Sequence, residues 1–473
     1  MNQKTGQKDA VLMLVENLVN IQYDDLSVED IDVTKRFILD TLGTLAAGSP
    51  ELPFEQMVAY LKEEGGKKES TIMIYGGKVP ARAAVLINSS MARAIDLDEV
   101  HEELSHHTCV SVVPAVFAMA ERRGRVHGKE LITAVALGFD LMSRLRIACN
   151  VLPTVHGRAS SYVFGTFGAA AVAAKLLKLD VDGTISALGN AYCQAAGDTA
   201  CYNDAALSQR VHQGSSASAG ILAALLAANG VQGSRNFLEG SVGYYTVHED
   251  GEYTASLLTE NLGKKFWGTT TSFKPYPNSK GIHIPMEAAL GAVLENDIKP
   301  DEIERISIRY PAWMEGGVNS IGYYKPERVD PKGSVEAHFS VPWGVGVIVA
   351  KRKAEVEDFS EEGVNKIRGV VVPIARTVVG VADTGLERIP GTALGPCIAE
   401  ITTNDGKVHT KREDYCSGSP QKPFTWQDMT DRFREFTSLA AKSLPKEKVE
   451  HIINLVRDLE NVEDATKIAE LMG

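Results

Sequence analysis

At 473 residues the chain is longer than a single hydrophobic core usually grows, so about two domains are expected. Its 44% hydrophobic and 23% charged residues argue against a disordered or fibrous protein. A net charge of −12 with no offsetting basic cluster argues against nucleic acid or an anionic membrane as partner.

The first twenty residues, MNQKTGQKDAVLMLVENLVN, carry Glu16 inside their apolar stretch and lack a small-residue cleavage pattern, so a cytoplasmic protein is expected rather than a secreted one. Val11, Leu14, Val15 and Leu18 repeat at helical spacing, and Ser27 with Asp30 marks the start of a helix through Phe37, Ile38 and Leu42. The helical pattern is then interrupted from Asp96 to Pro114, DLDEVHEELSHHTCVSVVP, by carboxylates and three histidines. Imidazole titrates nearest neutrality, so this acid-flanked loop is the natural place for proton transfer; the competing reading is a solvated loop with incidental histidines. Helical spacing resumes over Pro114 to Glu121 and Glu130 to Leu145, with Gly124 and Gly128 as punctuation. The Ala/Gly-rich runs from Gly165 and Ser216 fall short of a membrane span and read as the central, closely packed helices of a bundle.

Character changes near Trp267. Prolines cluster at 275, 277, 285, 300 and 311, and Ile306, Ile308 and Tyr310 alternate as a half-buried strand does. Val370 to Ile374 is a second strand candidate, and Ile398 to Thr403 followed by Asn404, Asp405, Gly406 and Val408 reads as a hairpin. After CSGSPQKP a helix over Trp426 to Lys442 and an apolar face of Val449, Ile452, Ile453 and Val456 restore the helical period. The expected fold is therefore mainly α: a large all-helical domain built from both chain ends, 1–266 and 408–473, with a smaller α+β lid inserted at 267–407. The six cysteines form no metal-ligand spacing, and no dinucleotide or P-loop glycine pattern occurs, so neither metal nor cofactor is expected and the thiols read as reduced and structural.

Separated segments match one pattern in order: DLDEVH with His106 shortly after, VPAVFAMAERRGRVHGKELITAVALGFDL, FGTFGAAAVAAKLLKLD, KPYPNSKGIH, AHFSVPWGVGV, and ITTNDGKVHTKREDYCSGSPQKPFTWQDM. Together they span nearly the whole chain and resemble the MmgE/PrpD family. The resemblance implies the same helical domain and inserted lid, a homodimer formed through the helical domain, and a metal-free site in the cleft between domains. It also implies chemistry beside a carboxylate of a small di- or tricarboxylate: dehydration, decarboxylation or epimerisation. His106 matches the family's loop histidine as general acid or base, and Asp96 its first acidic residue. Lys274 matches the lysine of the KPYP motif, and His283 the histidine after it.

Charge that develops beside a carboxylate must be met by preorganised cations, for which Lys274, Lys280 and Arg210 are candidates; each has the competing reading of an ordinary solvated side chain. The departures from the family pattern are specific. His107 stands where relatives usually carry proline, Ala159 where they carry a histidine before the FGTFGAA helix, and Gln209 where a lysine precedes Arg210. His156 or Arg158 are the substitutes on hand for the missing histidine. The first expectation is a cofactor-independent hydro-lyase acting on a 2-methylcitrate-like hydroxy acid, with Lys274 and Arg210 on its carboxylates and Lys280, His107, His283 and Gln209 lining the substrate. The alternatives are an isomerase or epimerase, a decarboxylase, or a carboxylate-binding homologue without turnover.

Overall fold

A computed structural model describes residues 9–151, 155, 157–314, 328–392 and 394–473. The chain is mainly α and divides into two compact units, one comprising residues 1–94, 106–269 and 425–473, the other 95–105 and 270–424.

Among the described residues the first unit is helical apart from one two-residue strand pair, Ser70–Thr71 with Lys78–Val79. Its helix Val28–Gly48 begins where the sequence indicates: Ser27 Oγ accepts from the Asp30 N–H at 3.1 Å, and Asp30 Oδ2 accepts from the Ser27 N–H at 3.4 Å. The helices Ser160–Leu176 and Ser208–Ala228 pack closely because Gly220 has no side chain. A Cβ there would stand 2.3 Å from the Thr166 carbonyl oxygen, so the small residues serve backbone approach. The C-terminal helices belong to this unit through polar ties as well as apolar packing. Trp426 Nε1 donates to Asp32 at 2.7 Å, Arg432 meets Asp40 at 3.2 Å, and Lys35 Nζ donates to the Arg457 carbonyl at 2.9 Å.

The second unit carries a four-stranded sheet in the order 378–383, 303–311, 397–403, 408–413; only the first pair is parallel. Ile306 pairs with Ile401 and Ile308 with Ala399, and this alternating face is covered by helices Lys280–Asn296, Val341–Lys351 and Glu361–Ala375 around the buried Trp343. The hairpin turns at Asp405 and Gly406, the latter at φ 82°.

Val370 to Ile374, read above as a strand, instead ends the helix Glu361–Ala375. Ser360 caps that helix by accepting from the Gly363 N–H at 3.0 Å, and Val364, Val371 and Ile374 line its buried face while Val370 is exposed. Burial on a helical stripe outweighs the strand preference of a β-branched run. The unit boundaries also differ from 266/267 and 407/408. Strand 408–413 pairs with 397–403, so the hairpin stays whole and the unit runs on to Phe424. Residues 95–105 join it because Val100–His101 pairs antiparallel with Thr271–Ser272. Among the described residues no helix is long and apolar enough to cross a membrane.

Within the helical unit, Arg144 ties the chain around 258–265 to the helix Gly128–Ile147: it donates to Asp140 at 2.6 Å, the Glu260 carbonyl at 2.8 Å and the Lys265 carbonyl at 2.7 Å. Burial pushes the Asp140 carboxyl up to about 6 in spite of the Arg144 guanidinium. A carboxyl raised in the folded state adds stability that is full below its unfolded value near 4 and is lost as pH rises through about 6. Denaturant melts of wild type and Asp140→Asn across that window should therefore differ by an amount that falls by about 3 kcal/mol from pH 4 to 7. A pH-independent difference would show that Asp140 titrates normally.

Candidate active site

In the second unit the acid-rich stretch and the KPYP loop form one polar cluster. Asp96 adopts φ 52°, a left-handed conformation that aspartate tolerates better than most residues. The Lys274 ammonium donates to the Asp96 carbonyl at 2.7 Å and lies 3.3 Å from its Oδ2, with side-chain exposures of only 1% and 3%. An isolated ion at that depth costs several kcal/mol, so each charge is tenable because the other is present.

Strand pairing sets the second contact. With Val100 opposite Ser272, the Glu102 N–H donates to the Thr270 carbonyl at 3.0 Å and the Ser272 hydroxyl donates to Glu102 Oε1. The Lys280 ammonium, on the first residue of its helix, donates to Glu102 Oε1 at 2.7 Å, Ser272 Oγ at 2.8 Å and Cys416 Sγ at 3.0 Å. Its three protons are thereby committed to those three partners. Burial disfavours its charge, but Cys416 and Glu102 outweigh that and hold it above its usual value, while burial raises the Cys416 thiol against the pull of Lys280. Cys416 is brought there by Gly418, whose carbonyl accepts from the Phe273 N–H at 3.0 Å; at φ 78° a Cβ on Gly418 would stand 2.0 Å from the Phe273 oxygen.

His283 is fully buried on the same helix, its ring edge-on to Tyr276 at 5.6 Å. Nε2 lies 3.2 Å from the Asn278 carbonyl oxygen, which can only accept, so Nε2 carries the proton and Nδ1 a lone pair. Among the described residues Nδ1 has no hydrogen-bond partner. Burial, then Lys280 and Lys274, push this imidazole well below its ordinary range, so it stays neutral near pH 7.

The remaining expected residues lie in the helical unit. His106 is buried, 6.0 Å from Phe164 in an edge-on contact, and the His107 N–H donates to Ser161 Oγ at 3.0 Å. Arg210 is buried and holds Glu51 at 2.7 Å and the Leu52 carbonyl at 2.7 Å, so its charge is matched within its own unit. Gln209 is buried beside it, its carbonyl accepting from the Tyr162 hydroxyl at 3.2 Å. Ala159 occupies the cap position of helix Ser160–Leu176 and offers no side-chain acceptor. Arg158 reaches Glu249 at 3.3 Å, where Tyr244 also donates at 2.7 Å, and His156 lies outside the described residues.

Glu102, Ser272, Asn278 and Cys416 were not singled out from the sequence, although Glu102 lies in the acid-rich stretch and Asn278 and Cys416 lie inside segments that carry the family resemblance. Among the described residues no group of three His, Cys, Asp or Glu side chains is placed to hold a metal ion.

A helical unit, an α+β unit and lysine–carboxylate pairs held out of water define a mainly α protein. The chain belongs to the MmgE/PrpD family: the family's N-terminal domain matches residues 13–256 and its C-terminal domain residues 276–461. It is 27% identical to the cis-aconitate decarboxylase of Homo sapiens over 459 residues, covering 93% of this chain and 90% of that protein. It is also 27% identical to the cis-aconitate decarboxylase of Aspergillus terreus over 501 residues, covering 100% and 97%.

Removing one partner of the Asp96–Lys274 pair takes a close counter-charge from the other. Lys274→Met is expected to destabilise the protein by about 3 kcal/mol or more in denaturant unfolding, and Asp96→Asn/Lys274→Met to recover part of that loss. Additive single-variant effects would show that the pair is not coupled.

Proposed function

We propose that the protein is a lyase of a small di- or tricarboxylate, and that its reaction is decarboxylation of a cis-aconitate-like acid. The observation that carries this reading is the buried Lys274–Asp96 pair: an ammonium fixed by a carbonyl and a carboxylate is preorganised to meet negative charge developing beside a substrate carboxylate. The likeness to cis-aconitate decarboxylases along nearly the full chain favours carbon dioxide as the leaving group. In that reaction the carbon–carboxyl bond breaks, its electron pair delocalises toward the neighbouring carboxylate, and a proton is then delivered to carbon. His106 is the donor in this reading, Lys274 stabilises the delocalised charge, and Asp96 positions Lys274. His283 presents a neutral acceptor at Nδ1 to a substrate proton, and His107 and Gln209 supply uncharged hydrogen bonds. Arg210 and Lys280 hold the framework.

Dehydration of a 2-methylcitrate-like acid requires an acid at the departing hydroxyl, and Ala159 leaves one family position without a titratable group. The same loss, with Gln209 for lysine, favours epimerisation as the second reading, because a proton that leaves and returns needs no leaving-group acid. A cytoplasmic homodimer belongs to the same proposal.

Purified protein incubated with cis-aconitate should release carbon dioxide, and His106→Ala should reduce turnover by about two orders of magnitude or more. Deuterium incorporation beside a carboxylate without loss of carbon dioxide would replace decarboxylation with epimerisation. Ligand-dependent melting shifts with neither reaction, across cis-aconitate, citrate and 2-methylcitrate, would reduce the protein to a carboxylate binder.

A further inference from the structure

We propose that Lys280 and Cys416 form a covalent modification site, in which oxidation joins Nζ to Sγ through a single oxygen atom. Nζ and Sγ stand 3.0 Å apart in a direct contact, held on one side by Glu102 and Ser272 and on the other by the Gly418–Phe273 pairing. Two single bonds meeting at one oxygen span nearly that separation, whereas a direct nitrogen–sulfur bond would require the atoms to close much further. The other sulfurs are placed differently. Cys149 and Cys193 face main-chain carbonyls of Leu145 and Gly189, and Cys201 faces the His212 ring at 3.8 Å.

Access for a small oxidant is also present. Lys280, Glu102 and Cys416 line a narrow cleft whose open space, about 10 Å³, is that of a single water-sized molecule. Hydrogen peroxide, one oxygen larger than water, is at the limit of such a space, and a thiol as large as glutathione is far beyond it. Burial keeps Cys416 as the thiol, so the first step is slow and calls for excess peroxide.

The chemistry balances with two equivalents of hydrogen peroxide. The first converts the thiol to a sulfenic acid and releases one water, the sulfur losing two electrons. Lys280 then passes its ammonium proton to Glu102, 2.7 Å away, and the amine nitrogen loses two electrons to the second peroxide. The nitrogen–oxygen bond forms to the sulfenic oxygen, two further waters leave, and the product is Lys–NH–O–S–Cys. The bridge would clamp the start of helix Lys280–Asn296, six residues beyond Lys274, to the segment around Cys416. It does not depend on the identity of the substrate.

Full-length protein treated with hydrogen peroxide should gain about 14 Da, one oxygen in and two hydrogens out, and a thiol reductant applied after denaturation should reverse the gain. Its tryptic map should contain the Lys280 and Cys416 peptides joined, with cleavage after Lys280 lost. Cys416→Ser and the charge-conserving Lys280→Arg should both abolish the gain. Should either variant fail to fold, the wild-type peptide map decides alone. The proposal is overturned by Cys416 recovered unmodified or as sulfinic acid with Lys280 still cleaved, by a linked species lighter by two hydrogens, or by a mass gain that survives in Cys416→Ser.

Discussion

The buried contact of Lys274 with Asp96 is the interaction on which the candidate site depends. Two side chains 178 positions apart meet out of water, the ammonium touching both the main-chain carbonyl and the carboxylate of one residue. Such a pair is poor evidence of stability, because well-packed apolar residues usually do as well at that depth. Its value lies in holding a full positive charge at a fixed place without a shell of water to rearrange. Where charge develops during a reaction, a preorganised ammonium lowers the barrier more than a mobile one.

The left-handed turn at Asp96 and the short strand pairing at Val100 and His101 work to one end. The turn aims the Asp96 carbonyl at Lys274, and the pairing brings Glu102 against Ser272 and Lys280. Lys280 spends its donors on Glu102, Ser272 and Cys416, and burial together with the two lysines depresses the basicity of His283, leaving a neutral ring with one lone pair unengaged among the described residues. In the proposed reaction Lys274 is the charge for the substrate and Lys280 the charge for the framework, a distinction drawn from their partners and invisible in residue type.

Much of the fold is legible in the chain because it rests on local period. The capping box at Ser27, the alternation at Ile306 and Ile308 and the Asp405–Gly406 turn each follow from neighbours within a few residues. Val370 to Ile374 misleads because a β-branched run looks the same on a buried helix face as in a strand. The place of residues 95–105 is hidden for a different reason: a two-residue strand has no period to detect. Lys274 and Asp96 stand out through the family motif, but Cys416 meets Lys280 across 136 positions, and local patterning carries no trace of that contact. The departures from the family pattern at Ala159 and Gln209 are equally visible in the chain.

The central claim is that the Lys274 ammonium receives a substrate carboxylate, and a crystal structure of the protein with cis-aconitate tests it most directly. The account predicts a ligand carboxylate oxygen within hydrogen-bonding distance of Lys274 Nζ, with Asp96 still holding the ammonium from the other side. A ligand bound elsewhere, with none of its carboxylate oxygens in contact with Lys274, would contradict it.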